Sequence, residues 1–151
     1  MNRVLVSVLV AALAFAVQAA ELPYDEHANA AADLQRALAA AQSNRSDVLL
    51  VFGANWCPDC RALDKAMHGS SQRLIDSEFD VVKIDVGNFD KNLGLAKRYG
   101  NPIAKGIPAV VVVGARDQVL YSTKGGELAN AGQMTEQSIY DFLKQKVANR
   151  S

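Results

Sequence analysis

The chain has 151 residues, half of them hydrophobic, which is enough to bury one core. Its 16 basic side chains balance 16 acidic ones, and no block of basic residues stands anywhere. Binding to nucleic acid and strong attraction to anionic membranes therefore have no electrostatic basis.

The first residues, Met1-Asn2-Arg3, carry positive charge, and residues 4–17 are apolar except for Ser7. Val17 and Ala19 place small side chains where a signal peptidase reads, so a secretory signal peptide over 1–19 is predicted, cleaved after Ala19. The apolar run is shorter than the roughly 20 residues of a membrane span. No cysteine stands near the cleavage point, which excludes lipid attachment there. So short a signal suits the bacterial periplasm. The expected mature chain, 20–151, is one domain.

Residues 24–42 read as a helix, with Pro23 before it, Asp25 and Glu26 in its first turn, and alanine throughout. Leu34 and Leu38 would face the core. The unbroken apolar run 48–52 fits a strand buried on both faces. A helix is predicted from the cysteine motif through Met67, stopped at Gly69. A short helical piece follows over 71–78. Residues 81–86 form a second strand, 90–99 a helix closed by Gly100, and 109–113 a third strand. A turn at 115–118 leads to a fourth strand over 119–123. Thr135 caps a last helix to about Ala148, with Ile139, Phe142, Leu143 and Val147 as its buried stripe. The order predicts an α/β fold: a mixed sheet of four core strands, flanked by helices on both faces. The cysteines fall at the end of its first strand, where sites form in such sheets.

The two cysteines, Cys57 and Cys60, stand within Phe52-Gly53-Ala54-Asn55-Trp56-Cys57-Pro58-Asp59-Cys60. Cysteines at i and i+3 of a helix share a face, close enough for a disulfide. At a helix N-terminus, unpaired N–H groups and the helix dipole stabilise an anion. Such settings bring a thiol from about 8.5 to roughly 3.5–7.5. Cys57 is therefore expected as an exposed, attacking thiolate, and Cys60 as the thiol that resolves the mixed disulfide. Pro58 suits the first helical turn, where a missing N–H is no loss. Trp56 offers an apolar shelf beside the sulfur. A purely stabilising disulfide is a poor alternative, since so short a loop gives only about 2 kcal/mol. Zinc would need His27 and His68 as further ligands, and both read as solvated helix residues. Copper(I) favours soft thiolates and stays open as a cargo.

Trp56-Cys57-Pro58-Asp59-Cys60, Gly106-Ile107-Pro108-Ala109 and Gly125-Gly126 together resemble the thioredoxin superfamily over residues 47–144. The nearest likeness is to periplasmic thioredoxin-like domains that pass electrons to oxidised proteins. The resemblance implies a cis Ile107–Pro108 bond facing the cysteines. It also implies a substrate segment bound in extended form by Trp56, Ile107, Pro108 and Gly125. Two departures stand out. Val51 occupies the place of the family's buried aspartate, which leaves the proton acceptor of the resolving thiol unassigned on that strand. Asp64 sits where related periplasmic domains have an acidic residue. Asp64 and Asp59 also read as solvated helix carboxylates, partly offset by Arg61 and Lys65. The segments 101–105 and 127–133 look like long loops that shape a substrate groove.

The resulting expectation is a secreted thiol–disulfide oxidoreductase of reductase or isomerase type, acting on protein disulfides through Cys57. It requires no cofactor and no metal. It acts as a monomer and is recharged by a membrane redox donor. The alternatives are a non-catalytic binding module of the same fold and a thiol-based copper carrier.

Overall fold

A computed structural model describes residues 22–149. The expected signal peptide and its cleavage after Ala19 lie outside the described residues.

Four strands form one sheet: β1 (Asp47–Gly53), β2 (Phe79–Asp85), β3 (Ala109–Val113) and β4 (Val119–Ser122), in the spatial order β2-β1-β3-β4. β1 runs parallel to β2 and antiparallel to β3, and β4 returns antiparallel along the outer edge of β3. Every residue of β3 is buried, as is every residue of β1 after Asp47. Side chains alternate between the two faces of a strand, so both faces are covered. That is why these two runs are apolar without alternation.

Helix α1 (Ala30–Asn44) packs on β1 and β2, burying Leu34, Leu38 and Ala41. The sequence places its start at residue 24, but the helix begins later, where the Asn29 side chain accepts the Ala32 N–H. The cause is a long-range pairing. The Tyr24 N–H donates to Asn55 Oδ1 at 2.9 Å, and the Tyr24 carbonyl accepts from Asn55 Nδ2 at 2.8 Å. With both groups engaged across the fold, Tyr24 is pinned outside the helix, and Tyr24 itself is buried. His27 accordingly lies before α1, exposed.

Helix α2 (Pro58–His68) follows β1 directly and stops at Gly69, as predicted. α3 (Gln72–Glu78) follows and packs on it. α4 (Leu93–Arg98) is shorter than the predicted 90–99. Residues 87–92 are turns instead, with Gly87, Phe89 and Asn92 at positive φ. Asp90 Oδ1 accepts the Asn88 N–H, and Asn92 Nδ2 donates to the Asp85 carbonyl. These side chains compete with helical bonding.

β2 begins and ends earlier than predicted, at Phe79 and Asp85. β4 ends at Ser122, although the Thr123 N–H still donates to the Val110 carbonyl at 2.9 Å. α5 (Glu136–Phe142) is capped by Thr135 and then widens by a residue per turn over Leu143–Ala148. Ile139, Leu143 and Val147 are buried and Phe142 is partly so, which gives the predicted stripe. Among the described residues, no helix is long and apolar enough to cross a membrane.

Asn55 thus ties the segment before α1 to the turn that carries the cysteines. Asn55→Ala would leave both Tyr24 backbone groups unpaired in a buried place. Urea unfolding should show a loss of about 2 kcal/mol. An unchanged midpoint would mean that water replaces the side chain at no cost.

Candidate active site

β1 delivers the chain to the end of the sheet, and Ala54-Asn55-Trp56 turns it into α2. Cys57 is the N-cap of α2, in extended conformation, and its Sγ accepts the Cys60 N–H at 3.1 Å. A sulfur therefore satisfies one of the donors that a helix N-terminus leaves unpaired. Pro58 fills the first helical position. The two sulfurs form a disulfide with the Cα atoms 5.2 Å apart, and no other cysteine is present.

Cys57 was expected to be exposed, and this is corrected: it exposes 3 % of its surface, and Cys60 1 %. Its sulfur, bonded to Cys60, lies 3.7 Å from the Ile107 carbonyl oxygen. The Ile107–Pro108 bond is cis, in agreement with the resemblance. Trp56 remains half exposed, with its indole N–H donating to the Gly87 carbonyl at 2.8 Å. Phe89 meets its ring edge-on at a centroid distance of 6.2 Å and is also exposed. The shelf foreseen at Trp56 is therefore a pair of aromatic rings.

Asp59 is no free carboxylate, since its Oδ1 accepts the Gly132 N–H at 2.8 Å. It fastens the 127–133 segment to the first turn of α2. That segment is part of the core, with Leu128 and Ala131 buried, as are Pro102 and Ile103 in the 101–105 segment. The two segments also touch. A Cβ on Gly106 would come within 2.9 Å of the Ala129 Cβ, and one on Gly126 within 2.8 Å of the Lys105 carbonyl oxygen. They border the cysteine end, but they are packed elements rather than free loops. Gly125 is exposed. Extending the β3–β4 register, in which Val111 faces Ser122, sets Gly125 opposite Pro108.

Asp64 also departs from the solvated reading. It forms an ion pair with Lys83 on β2, and the His68 Nδ1 lies 3.3 Å from its Oδ1. Both members of the Asp64–Lys83 pair are largely buried. The offsetting charges named from sequence point elsewhere. Lys65 reaches Glu136, and Arg61 donates to the Asn55 carbonyl at 2.8 Å. Lys83 was missed because it stands far along the chain; register brings it beside Val51. Burial pulls the Lys83 ammonium down to about 8. Among the described residues, no three His, Cys, Asp or Glu side chains gather as a metal site.

A covered disulfide at a helix N-terminus has one chemistry within reach: exchange with outside thiols. By class the protein is a thiol–disulfide oxidoreductase. Residues 29–115 match the thioredoxin-like family, more than half of the chain, and the protein belongs to that family. It is similar to the disulphide isomerase of Xylella fastidiosa Temecula1, at 58 % identity and a TM-score of 0.82, over 84 % of this chain and 98 % of that one. A thioredoxin of Thermus thermophilus shares the fold, at 23 % identity and a TM-score of 0.53, over 74 % of this chain and 81 % of that one. No match to a curated protein was found.

The Lys83 setting has a pH signature. Between about 8 and the ordinary lysine value near 10.4, the unfolded chain holds a proton that the folded one has released. Folding stability from this group therefore rises with pH across that window. In urea titrations of the oxidised protein, wild type should gain on Lys83→Met from pH 8 to 10.5. A constant difference would show that Lys83 titrates normally.

Proposed function

We propose that the protein reduces and reshuffles disulfides in other proteins. The observation that carries this is the position of Cys57 Sγ, which caps α2 through the Cys60 N–H and faces Ile107. In the reduced form, the helix N-terminus favours a thiolate at this place. That thiolate attacks a substrate disulfide, and one substrate sulfur leaves. Cys60, one turn inside, then attacks Cys57 Sγ and releases the second substrate sulfur. The cysteine pair carries both electrons, so no bound cofactor takes part.

Substrate recognition follows from the surroundings. An extended segment pairs with the backbone at Ile107, beside Pro108 and opposite Gly125, while Trp56 receives an apolar side chain. Backbone pairing makes the choice of partner broad. The likeness to a disulphide isomerase supports the reshuffling role. The charged start and apolar run before residue 20 support export to the periplasm, where a membrane donor restores the dithiol. A single domain acting as a monomer suffices for this chemistry.

Insulin reduction with dithiothreitol tests the reading. Cys57→Ser should lose turnover to background, and Cys60→Ser should accumulate the mixed disulfide. Full turnover by Cys57→Ser would sink it. The direction is checked by equilibrium with glutathione: a potential nearer about −270 than −120 mV is expected for a reductant.

A further inference from the structure

Cys60 must lose a proton before it can attack, yet it is buried in the apolar core, where an anion is costly. One buried polar group reaches it. Gly53 closes β1, and its missing side chain leaves room for two visitors. A Cβ there would collide with the Tyr24 hydroxyl and would come within 2.9 Å of Cys60 Sγ. Hydroxyl and sulfur thus share the space over the Gly53 Cα. Tyr24 is 3 % exposed, and its backbone is fixed at both polar groups by Asn55. A buried tyrosine hydroxyl is costly without a partner, whereas phenylalanine would fill the same space without that cost.

We propose that the Tyr24 hydroxyl donates a hydrogen bond to Cys60 Sγ during resolution and stabilises the Cys60 thiolate. This rests on the proposed order in which Cys57 attacks and Cys60 resolves. In the mixed disulfide, Cys60 gives its proton to water. The Cys60 electron pair forms the Cys60–Cys57 bond, and the Cys57–substrate bond breaks. The substrate sulfur leaves as a thiolate and takes up a proton. Tyr24 keeps its own proton throughout.

The charged groups around the hydroxyl suit a donor. Lys83 Nζ, on β2, lies 5.7 Å from the Tyr24 ring centroid and is paired with Asp64 of α2. Asp85 ends β2, where Lys91 Nζ stands 3.2 Å from its Oδ2. On the segment of Tyr24 itself, Glu26 Oε1 accepts from Asn55 Nδ2 at 3.0 Å. Burial, with the Asp85 charge second, raises the Tyr24 pKa well above its ordinary value. The phenol therefore stays protonated wherever the enzyme works.

Tyr24→Phe removes the hydroxyl and leaves the ring. In a Cys57→Ser background it should raise the Cys60 pKa by about one unit or more, read from thiolate absorbance against pH. In the otherwise unaltered protein, resolution of a preformed mixed disulfide should slow about tenfold near neutrality. The loss should shrink as pH passes the Cys60 titration, and the first attack by Cys57 should keep its rate. 3-Fluorotyrosine placed at position 24 preserves the packing and makes a stronger donor, so it should move both readings the other way. Equal Cys60 titration in all three proteins would overturn the proposal and reduce Tyr24 to packing. Failure of the mixed disulfide to form would instead strike the proposed function, and the Cys60 titration would still decide the role of Tyr24.

Discussion

The bond from the Cys60 N–H to Cys57 Sγ organises the rest of the molecule. It sets a sulfur where an N-cap oxygen ordinarily sits, a position worth about 1 kcal/mol to a helix. It also makes the two reacting atoms part of the helix start itself. Their geometry therefore depends on where α2 begins, which depends on where β1 ends. β1 is paired on both sides, parallel to one neighbour and antiparallel to the other. A shift of one residue in its register would exchange the side chains packed on its two buried faces and move the cysteines with it.

Around that fixed point the polar groups are arranged by displacement. Val51 keeps the middle of β1 apolar, where the wider family places a carboxylate. The neighbouring strand supplies Lys83 at the same level, and α2 supplies Asp64 one turn beyond Cys60. A buried ion pair is weak support for stability, because desolvation offsets much of the attraction. Burial lowers the Lys83 pKa for the same reason. The Tyr24 hydroxyl shares the space over the Gly53 Cα with Cys60 Sγ. The polar groups at this end of the core thus come from three separate stretches of chain.

The covering of Cys57 belongs to the same arrangement. Asp59, between the cysteines, holds Gly132, and the segments 101–105 and 127–133 lock together through close approaches at Gly106 and Gly126. Replacing them by minimal turns would expose Leu128 and Ile103. The aromatic pair Trp56 and Phe89 stays exposed beside it.

The sequence alone determined the strands β1 and β3, since unbroken apolar runs have one use in a sheet covered on both faces. It also determined the start and stop of α2, because Cys57-Pro58 and Gly69 act locally. The family likeness was legible for the same reason: its motifs are short and contiguous. Tertiary structure decided everything that depends on distant pairing. Asn55 holds Tyr24 out of α1, side chains in 87–92 shorten α4, and register brings Lys83 to Asp64. It also decided that Cys57 is covered. Local propensity reports what a segment prefers by itself, whereas a hydrogen bond or ion pair across dozens of residues exists only once the chain has closed on itself.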